Sequence, residues 1–275
     1  MAAATGDAKD RTQRFLAMHG GPEPLLLANA WDAGSAKVLA FLGFRALATT
    51  SAGHAATLGR QDGLVTRDEA IAHAADLVAA TDLPVNADLE DGFSDDPEQV
   101  AETVRLAAGV GVAGLSIEDW SRTRREIHDI GLARARVNAA AEAAHGGPKR
   151  VVLTGRAENY FRGAPDVADT IARLQAFQEA GADVLYAPGL VDADDVRRVV
   201  ESVDRPVNVV ARPGLPSVAE LGRIGVRRVS VGGAFALVAF GAVATAAREL
   251  LNSGTYGFLA QAGDADVLRG AFDAD

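Results

Sequence analysis

What most constrains the fold of this chain is a rhythm of eight short apolar runs, each followed by a stretch with helical spacing. The runs are Leu25 to Asn29, Ala46 to Ser51, Val85 to Glu90, Gly114 to Glu118, Arg150 to Arg156, Asp183 to Ala187, Pro206 to Ala211 and Arg228 to Gly232. The helical stretches are Gly34 to Leu42, Thr66 to Ala80, Pro97 to Gly109, Leu132 to Ala144, Pro165 to Ala180, Ala193 to Val203, Ser217 to Ile224 and Ala234 to Leu251. Strict alternation implies parallel pairing, because a parallel neighbour needs a crossover long enough to hold a helix. Eight such units close a (β/α)8 barrel of the TIM type, an α/β fold. The open doubly wound sheet is the alternative. It usually places a glycine-rich turn after its first strand, and here that turn reads Asn29-Ala30-Trp31-Asp32.

Local signals mark the ends of these elements. Thr66 with Glu69 three residues on reads as a capping box, and Asp96-Pro97 puts proline in the first helical turn. Gly43, Gly109, Gly181 and Gly225 each stand where a left-handed helix cap belongs. Gly109-Val-Gly111-Val-Ala-Gly114 has the spacing of a dinucleotide fingerprint, but it follows a helix and precedes a strand. That order is reversed from what pyrophosphate binding needs, so the glycines are expected to cap and pack.

The chain's 275 residues, 48% hydrophobic and 23% charged, can fill one large core. We expect an N-terminal tail and lead helix in 1–24, with the helix over Asp10 to His19, the barrel in 25–251 and a C-terminal helical extension in 252–275. A net charge of -10 without basic blocks argues against a nucleic-acid partner. With no cysteine, disulfides, thiolate ligands and cysteine nucleophiles are excluded. Met1 to Asp10 lacks an apolar segment, so neither a signal peptide nor a membrane span is expected there, and a cytoplasmic location is the expectation.

The chemistry concentrates in Val85-Asn-Ala-Asp-Leu-Glu-Asp-Gly-Phe93, where an apolar run ends in Asp88, Glu90 and Asp91. On a strand, Asp88 and Glu90 would share a face. Two such acids repel unless a cation or a proton intervenes, which points to a divalent metal; the bland alternative is a solvated Asp-Gly turn. The barrel assignment makes further acids converge. Active sites in this fold lie at the C-terminal strand ends, which here carry Trp31 and Asp32, Thr49, Thr50 and Ser51 with Asp62 on the following loop, Asp88 and Glu90, Glu118 and Asp119, Arg156 and Glu158, Arg212, and Gly232 with Gly233. Oxygen ligands suit a hard cation, and Arg156 could grip a carboxylate through two prongs. Glu118 and Arg156 could equally form an ordinary ion pair, and Gly232-Gly233 could mark either close packing or a phosphate site. None of the histidines has ligand spacing.

Asn29-Ala-Trp-Asp-Ala-Gly-Ser35, Thr50-Ser51, Leu58-Gly-Arg-Gln-Asp62, Leu83 to Phe93 and Gly114-Leu-Ser-Ile-Glu-Asp119 together resemble the successive motifs of the isocitrate lyase and phosphoenolpyruvate mutase superfamily, over roughly Leu25 to Leu251. The resemblance implies Mg2+, or Mn2+ in its place, held by Asp88, with Glu90, Asp62 and Glu118 acting mostly through water. It implies that Trp31, Thr50, Ser51 and Arg156 surround a small 2-oxo acid, that Asp62 and Arg156 take part in catalysis, and that subunits form a homotetramer by exchanging the last barrel helix. The loop after the fourth strand differs from the family patterns. It reads Trp120-Ser-Arg-Thr-Arg-Arg-Glu-Ile-His-Asp129, with neither the lyase cysteine nor the mutase asparagine. Glu126 and His128 are the acid/base candidates it offers. The metal motif, commonly Asp-x-Asp-Thr-Gly, here reads Asp88-Leu-Glu90-Asp91-Gly92. The expected activity is metal-assisted lyase or mutase chemistry through an enolate. The alternatives are decarboxylation or hydrolysis of an oxaloacetate-like acid, and a non-catalytic metabolite-binding barrel.

Overall fold

The structure is a computed structural model in which residues 11–263 and 265–273 are described; the expectations for Met1 to Asp10 lie outside them. A lead helix, α1 (residues 11–17), runs into a 3-10 turn at Met18–Gly20. The chain then alternates through β1 (Leu25–Asn29), α2 (Ala33–Phe41), β2 (Leu47–Ala48), α3 (Ser51–Thr57), α4 (Arg67–Ala80), β3 (Val85–Asp88), α5 (Pro97–Gly109) and β4 (Gly114–Glu118). A short hairpin follows, β5 (Trp120–Ser121) and β6 (Glu126–Ile127), and then α6 (Ile130–Gly146), β7 (Val152–Arg156), α7 (Val167–Glu179), β8 (Val184–Tyr186), α8 (Ala193–Glu201), β9 (Val207–Val210), α9 (Val218–Ile224) and β10 (Arg228–Ser230). The chain ends with α10 (Ala234–Ser253) and α11 (Ala265–Phe272). Among the described residues, eight parallel strands close a barrel in the order β1-β10-β9-β8-β7-β4-β3-β2. The (β/α)8 expectation is met.

Alternation along each strand sorts the side chains. Leu115, Ile117, Leu153 and Leu185 point outward into one core with the helices, while Ser116 and Thr154 lie on the opposite face. The lower end is closed by α1, whose Phe15 packs with Leu25, Leu27, Ala46, Ala48, Val152 and Val184. Above this plug lies a polar layer. Arg228, fully buried, donates to Asn208 Oδ1 (3.0 Å) and Thr154 Oγ1 (3.0 Å) and faces His19 Nε2 at 3.4 Å. With no anion among these partners, burial draws its guanidinium down to about 10.

Gly114 sits where the plug meets the barrel. A Cβ there would lie 2.7 Å from Phe15 and 3.0 Å from the Val152 carbonyl. Gly114→Ala is therefore expected to lower stability by about 1–3 kcal/mol, measured as a fall in urea midpoint at constant slope. The glycine-rich run is thus a cap followed by close packing. The left-handed residue is Gly111 (φ 95) rather than Gly109, which closes α5 from inside the helix.

Two local expectations are corrected, and the loop after β4 gains a structure. The second strand is only Leu47–Ala48, because Thr50, buried, caps α3, its Oγ1 accepting from the Gly53 N–H at 3.3 Å. The third strand stops at Asp88, and Glu90 lies in a turn at φ 48, so strand alternation is not what brings the two acids together. The loop after β4 is an ordered hairpin.

The eighth helix does not cover its own barrel. In α10 only Ala236 is buried, while Leu237, Val238, Phe240, Val243, Leu250 and Leu251 are exposed. Where such a helix would lie, between α9 and the end of α2 over β1, there is a groove of about 900 Å3 lined by Leu25, Leu26, Leu42, Phe44, Val218 and Gly222. By length and mean hydropathy, α10 could also cross a membrane.

Candidate active site

The carboxylates expected at the strand ends converge, but guanidinium groups lie among them. Arg156, at the end of β7, pairs with Glu158 through a very short Nε contact, with Glu118 Oε2 at 3.4 Å and with Asp88 Oδ1 at 3.8 Å. Arg162 pairs with the other oxygens of the same two glutamates, Glu118 Oε1 at 3.2 Å and Glu158 Oε2 at 3.0 Å, and lies over the Trp120 ring. Glu118 and Glu158 are both buried. Two buried acids against two arginines is a stable stalemate only while both sides are present; removing one partner strands a charge.

Titration behaviour follows from that crowding. Burial, then the charge of Glu158, pushes Glu118 well above the usual carboxylate range. Burial works against the Arg156 cation, yet Glu158 and Glu118 outweigh it and hold the guanidinium above its ordinary range. Asp62 is raised by desolvation and by Asp88. Glu90 is raised to about 8 by burial, with Asp88, Asp62 and Asp91 adding to it and Arg122 opposing.

Glu90 yields a pH prediction. In the folded chain it keeps a proton up to about pH 8, whereas unfolded it loses it near 4.5. The stability tied to that proton is full below about 4.5 and is lost as pH rises through about 8. Metal-free protein is expected to lose up to about 1.4 kcal/mol per pH unit across that window. Glu90→Gln should flatten the profile of urea midpoint against pH; an unchanged slope would mean that Glu90 is ionised throughout.

Backbone and neighbours fix the remaining groups. Ser51 N–H donates to Asp88 Oδ2 at 3.2 Å, and the Asp88 N–H donates to Thr49 Oγ1 at 2.7 Å. Thr50 is buried with its hydroxyl used as the α3 cap, and Trp31 is partly exposed, its carbonyl facing His73 Nε2 at 3.0 Å. Asn29 donates to the Thr49 carbonyl and accepts from the N–H groups of Val231 and Gly232, stitching the first, second and last strand ends together. The Gly232 N–H is therefore committed, which favours packing over anion binding for Gly232-Gly233.

The two loop acid/base candidates lie elsewhere. Glu126 is exposed and pairs with Arg124 at 3.4 Å. His128 is buried, with Nε2 3.2 Å from Asp95, and burial followed by Arg136 lowers its affinity for a proton. Neither touches the Asp88–Arg156–Glu118 cluster. Instead Arg122 holds the hairpin down, contacting Glu90 at 3.3 Å, Asp91 at 3.0 Å and the Val65 carbonyl at 3.1 Å. The sequence placed Glu158 at its strand end without giving it a role, and Arg162 is the residue it did not single out.

Among the described residues no three acidic or imidazole side chains converge closely enough to hold a metal by themselves. The repulsion expected between the acids is met by Arg122 at Glu90 and Arg156 at Asp88, and burial with the neighbouring acids raises the affinity of Glu90 for a proton. The donor chemistry still suits Mg2+, which keeps several waters and needs only one or two direct carboxylates.

Comparison with known proteins gives the family. The description of phosphoenolpyruvate phosphomutase matches residues 15–251. The chain belongs to that family. A candidate lyase/mutase from Burkholderia cenocepacia J2315 superposes with a TM-score of 0.94 at 48% identity, covering 98% of each chain. An uncharacterised Mycobacterium tuberculosis protein is 36% identical over 220 residues, 79% of this chain and 81% of its own. A 2-methylisocitrate lyase of Halalkalibacterium halodurans is 30% identical over 203 residues, 72% and 67% respectively. Within the phosphomutase family, then, the barrel mouth is the place to seek the reaction.

Proposed function

We propose that this phosphomutase-family chain is a Mg2+-dependent enzyme that breaks or makes a bond beside the oxo-bearing fragment of a small 2-oxo acid, through an enolate. The observation that carries the reading is Arg156, partly buried at the strand ends among Asp88, Glu118 and Glu158, with the Ser51 N–H on the same Asp88. Relatives named 2-methylisocitrate lyase, 2,3-dimethylmalate lyase and oxaloacetate decarboxylase support it.

Asp88 would hold the metal, with Asp62, Glu90 and Glu118 orienting its waters. Bound there, Mg2+ supplies positive charge to the oxygens on which negative charge grows as the bond breaks. The chain's own part is to bind and orient. Arg156, kept cationic by Glu158 and Glu118, would fix the substrate carboxylate, and Ser51 would add a donor.

A second reading, decarboxylation of an oxaloacetate-like acid, is favoured by the hairpin. Aldol-type cleavage needs a base to take the hydroxyl proton and an acid to quench the enolate. Loss of CO2 leaves the electron pair in the enolate without any base, and water can return the proton. A hairpin that brings neither Glu126 nor His128 to the cluster suits that economy. A screen of 2-oxo acids and 2-hydroxy acids with Mg2+, following pyruvate and glyoxylate production and CO2 release, tests both. Turnover of oxaloacetate alone selects the second reading, and binding without any turnover would contradict both.

A further inference from the structure

At the barrel mouth, four arginines are accounted for by acids. Arg156 and Arg162 face Glu118 and Glu158, Arg122 faces Glu90 and Asp91, and Arg173 faces Asp119 at 3.1 Å. Arg212 differs. It is exposed and, among the described residues, makes no ion pair or side-chain hydrogen bond. Its guanidinium carbon instead lies 5.2 Å from the centre of the Phe161 ring.

Its placement is built rather than incidental. Arg212-Pro213-Gly214-Leu215 is a turn with proline second and glycine third at φ 90, closed by the Leu215 N–H on the Arg212 carbonyl at 3.1 Å. Phe161 is fixed from below by the loop after β8, where Gly189 comes so near that an added Cβ would lie 3.0 Å from the Phe161 nitrogen. The same ring also meets Arg162 at 5.9 Å and Arg156 at 6.0 Å. Three cations therefore gather round one half-exposed phenyl ring, and only two of them have anions. A cation held over an aromatic face keeps its N–H edge free for another partner.

We propose that Arg212, carried by Phe161, recognises the distal carboxylate of the substrate, making that substrate a 2-oxo diacid. The proposal rests on the reading of the mouth as a 2-oxo acid site. The two guanidinium carbons of Arg156 and Arg212 lie no more than about 11 Å apart, being 6.0 and 5.2 Å from a common ring centre. A four- or five-carbon diacid gripped at each end at about 2.8 Å spans such a gap. A monoacid leaves Arg212 unanswered.

The test is a calorimetric titration in Mg2+ of 2-oxoglutarate and of 2-oxopentanoate, which has the same length without the distal carboxylate, with oxalate alongside. Wild type should prefer the diacid by about tenfold or more, the worth of one charge-assisted contact. Arg212→Gln should erase most of that preference and leave oxalate affinity within about twofold, since oxalate has no distal group, and Arg212→Lys should restore part of it. No preference in wild type, or a preference that survives Arg212→Gln, overturns the proposal. If oxalate fails to bind while the diacid preference still follows Arg212, the 2-oxo acid reading falls and the distal carboxylate site stands. If none of the probes binds, both fall.

Discussion

Asp88→Ala is expected to abolish Mg2+-dependent oxalate binding, a loss of at least about a hundredfold, because a direct ligand matters more than the outer-shell partners worth about 10–100-fold. The barrel should stay folded. Among the described residues Asp88 accepts two long backbone contacts, from Ser51 at 3.2 Å and Glu90 at 3.4 Å, and makes one long ion pair with Arg156 at 3.8 Å, and its removal relieves repulsion on Asp62 and Glu90. Glu90→Gln should be milder, since it keeps an oxygen and the shape while deleting one charge. If Asp88 were only structural, its loss would lower thermal stability by the same amount with and without Mg2+, and oxalate affinity would not change. Titrations and melting curves of both variants separate the cases.

The second large effect is expected in assembly. We propose that α10 of one subunit fills the groove between α9 and α2 of another, giving a homo-oligomer that the family resemblance makes a tetramer. An apolar helix and an uncovered apolar groove of about 900 Å3, on one chain but apart, argue for exchange. Each large side chain so buried stabilises by about 1.5–3 kcal/mol. Val238→Asp, at a residue 70% exposed within one chain, should then place an unpaired charge in the interface. Sedimentation should show an oligomer for wild type and monomer for the variant at micromolar concentration, with a lower melting temperature. A wild-type monomer that binds lipid vesicles through α10 would contradict the proposal.

Much of the fold was legible because it rests on patterns that repeat. Capping at Thr66 and Asp96, and left-handed glycines at Gly43, Gly181 and Gly225, stand where the sequence puts them, since each depends on a few adjacent residues. The exceptions are places where tertiary contacts decide. Ser51–Thr57 contains Gly53 and carries no apolar stripe of its own, so nothing local announces a helix. It forms because Gly53 packs where a Cβ would lie 2.9 Å from Trp31 and 3.1 Å from Ala236. Likewise Asp91-Gly92 announces a turn, but the left-handed backbone begins one residue earlier, at Glu90, where Arg122 and burial hold the side chain.

At the site, sequence position found the carboxylates, because strand ends in a barrel meet at one mouth. It could not find their cations. Arg122 lies 32 residues from Glu90 and Arg162 lies 44 from Glu118, and no spacing rule links such pairs. Repulsion between neighbouring acids is legible in the sequence, but the guanidinium groups that lie among them are not. For the same reason the loop candidates Glu126 and His128 looked suitable by chemistry and lie by geometry against Arg124 and Asp95.

The most direct test of the enolate mechanism is a calorimetric titration of oxalate, an enolate mimic, into wild-type protein with Mg2+ and again with chelator. The account predicts one site per subunit with Mg2+ and none with chelator, the affinity rising with pH toward about 8 as Glu90 gives up its proton. Equal oxalate binding in both conditions would contradict the metal-assisted reading and the enolate chemistry built on it.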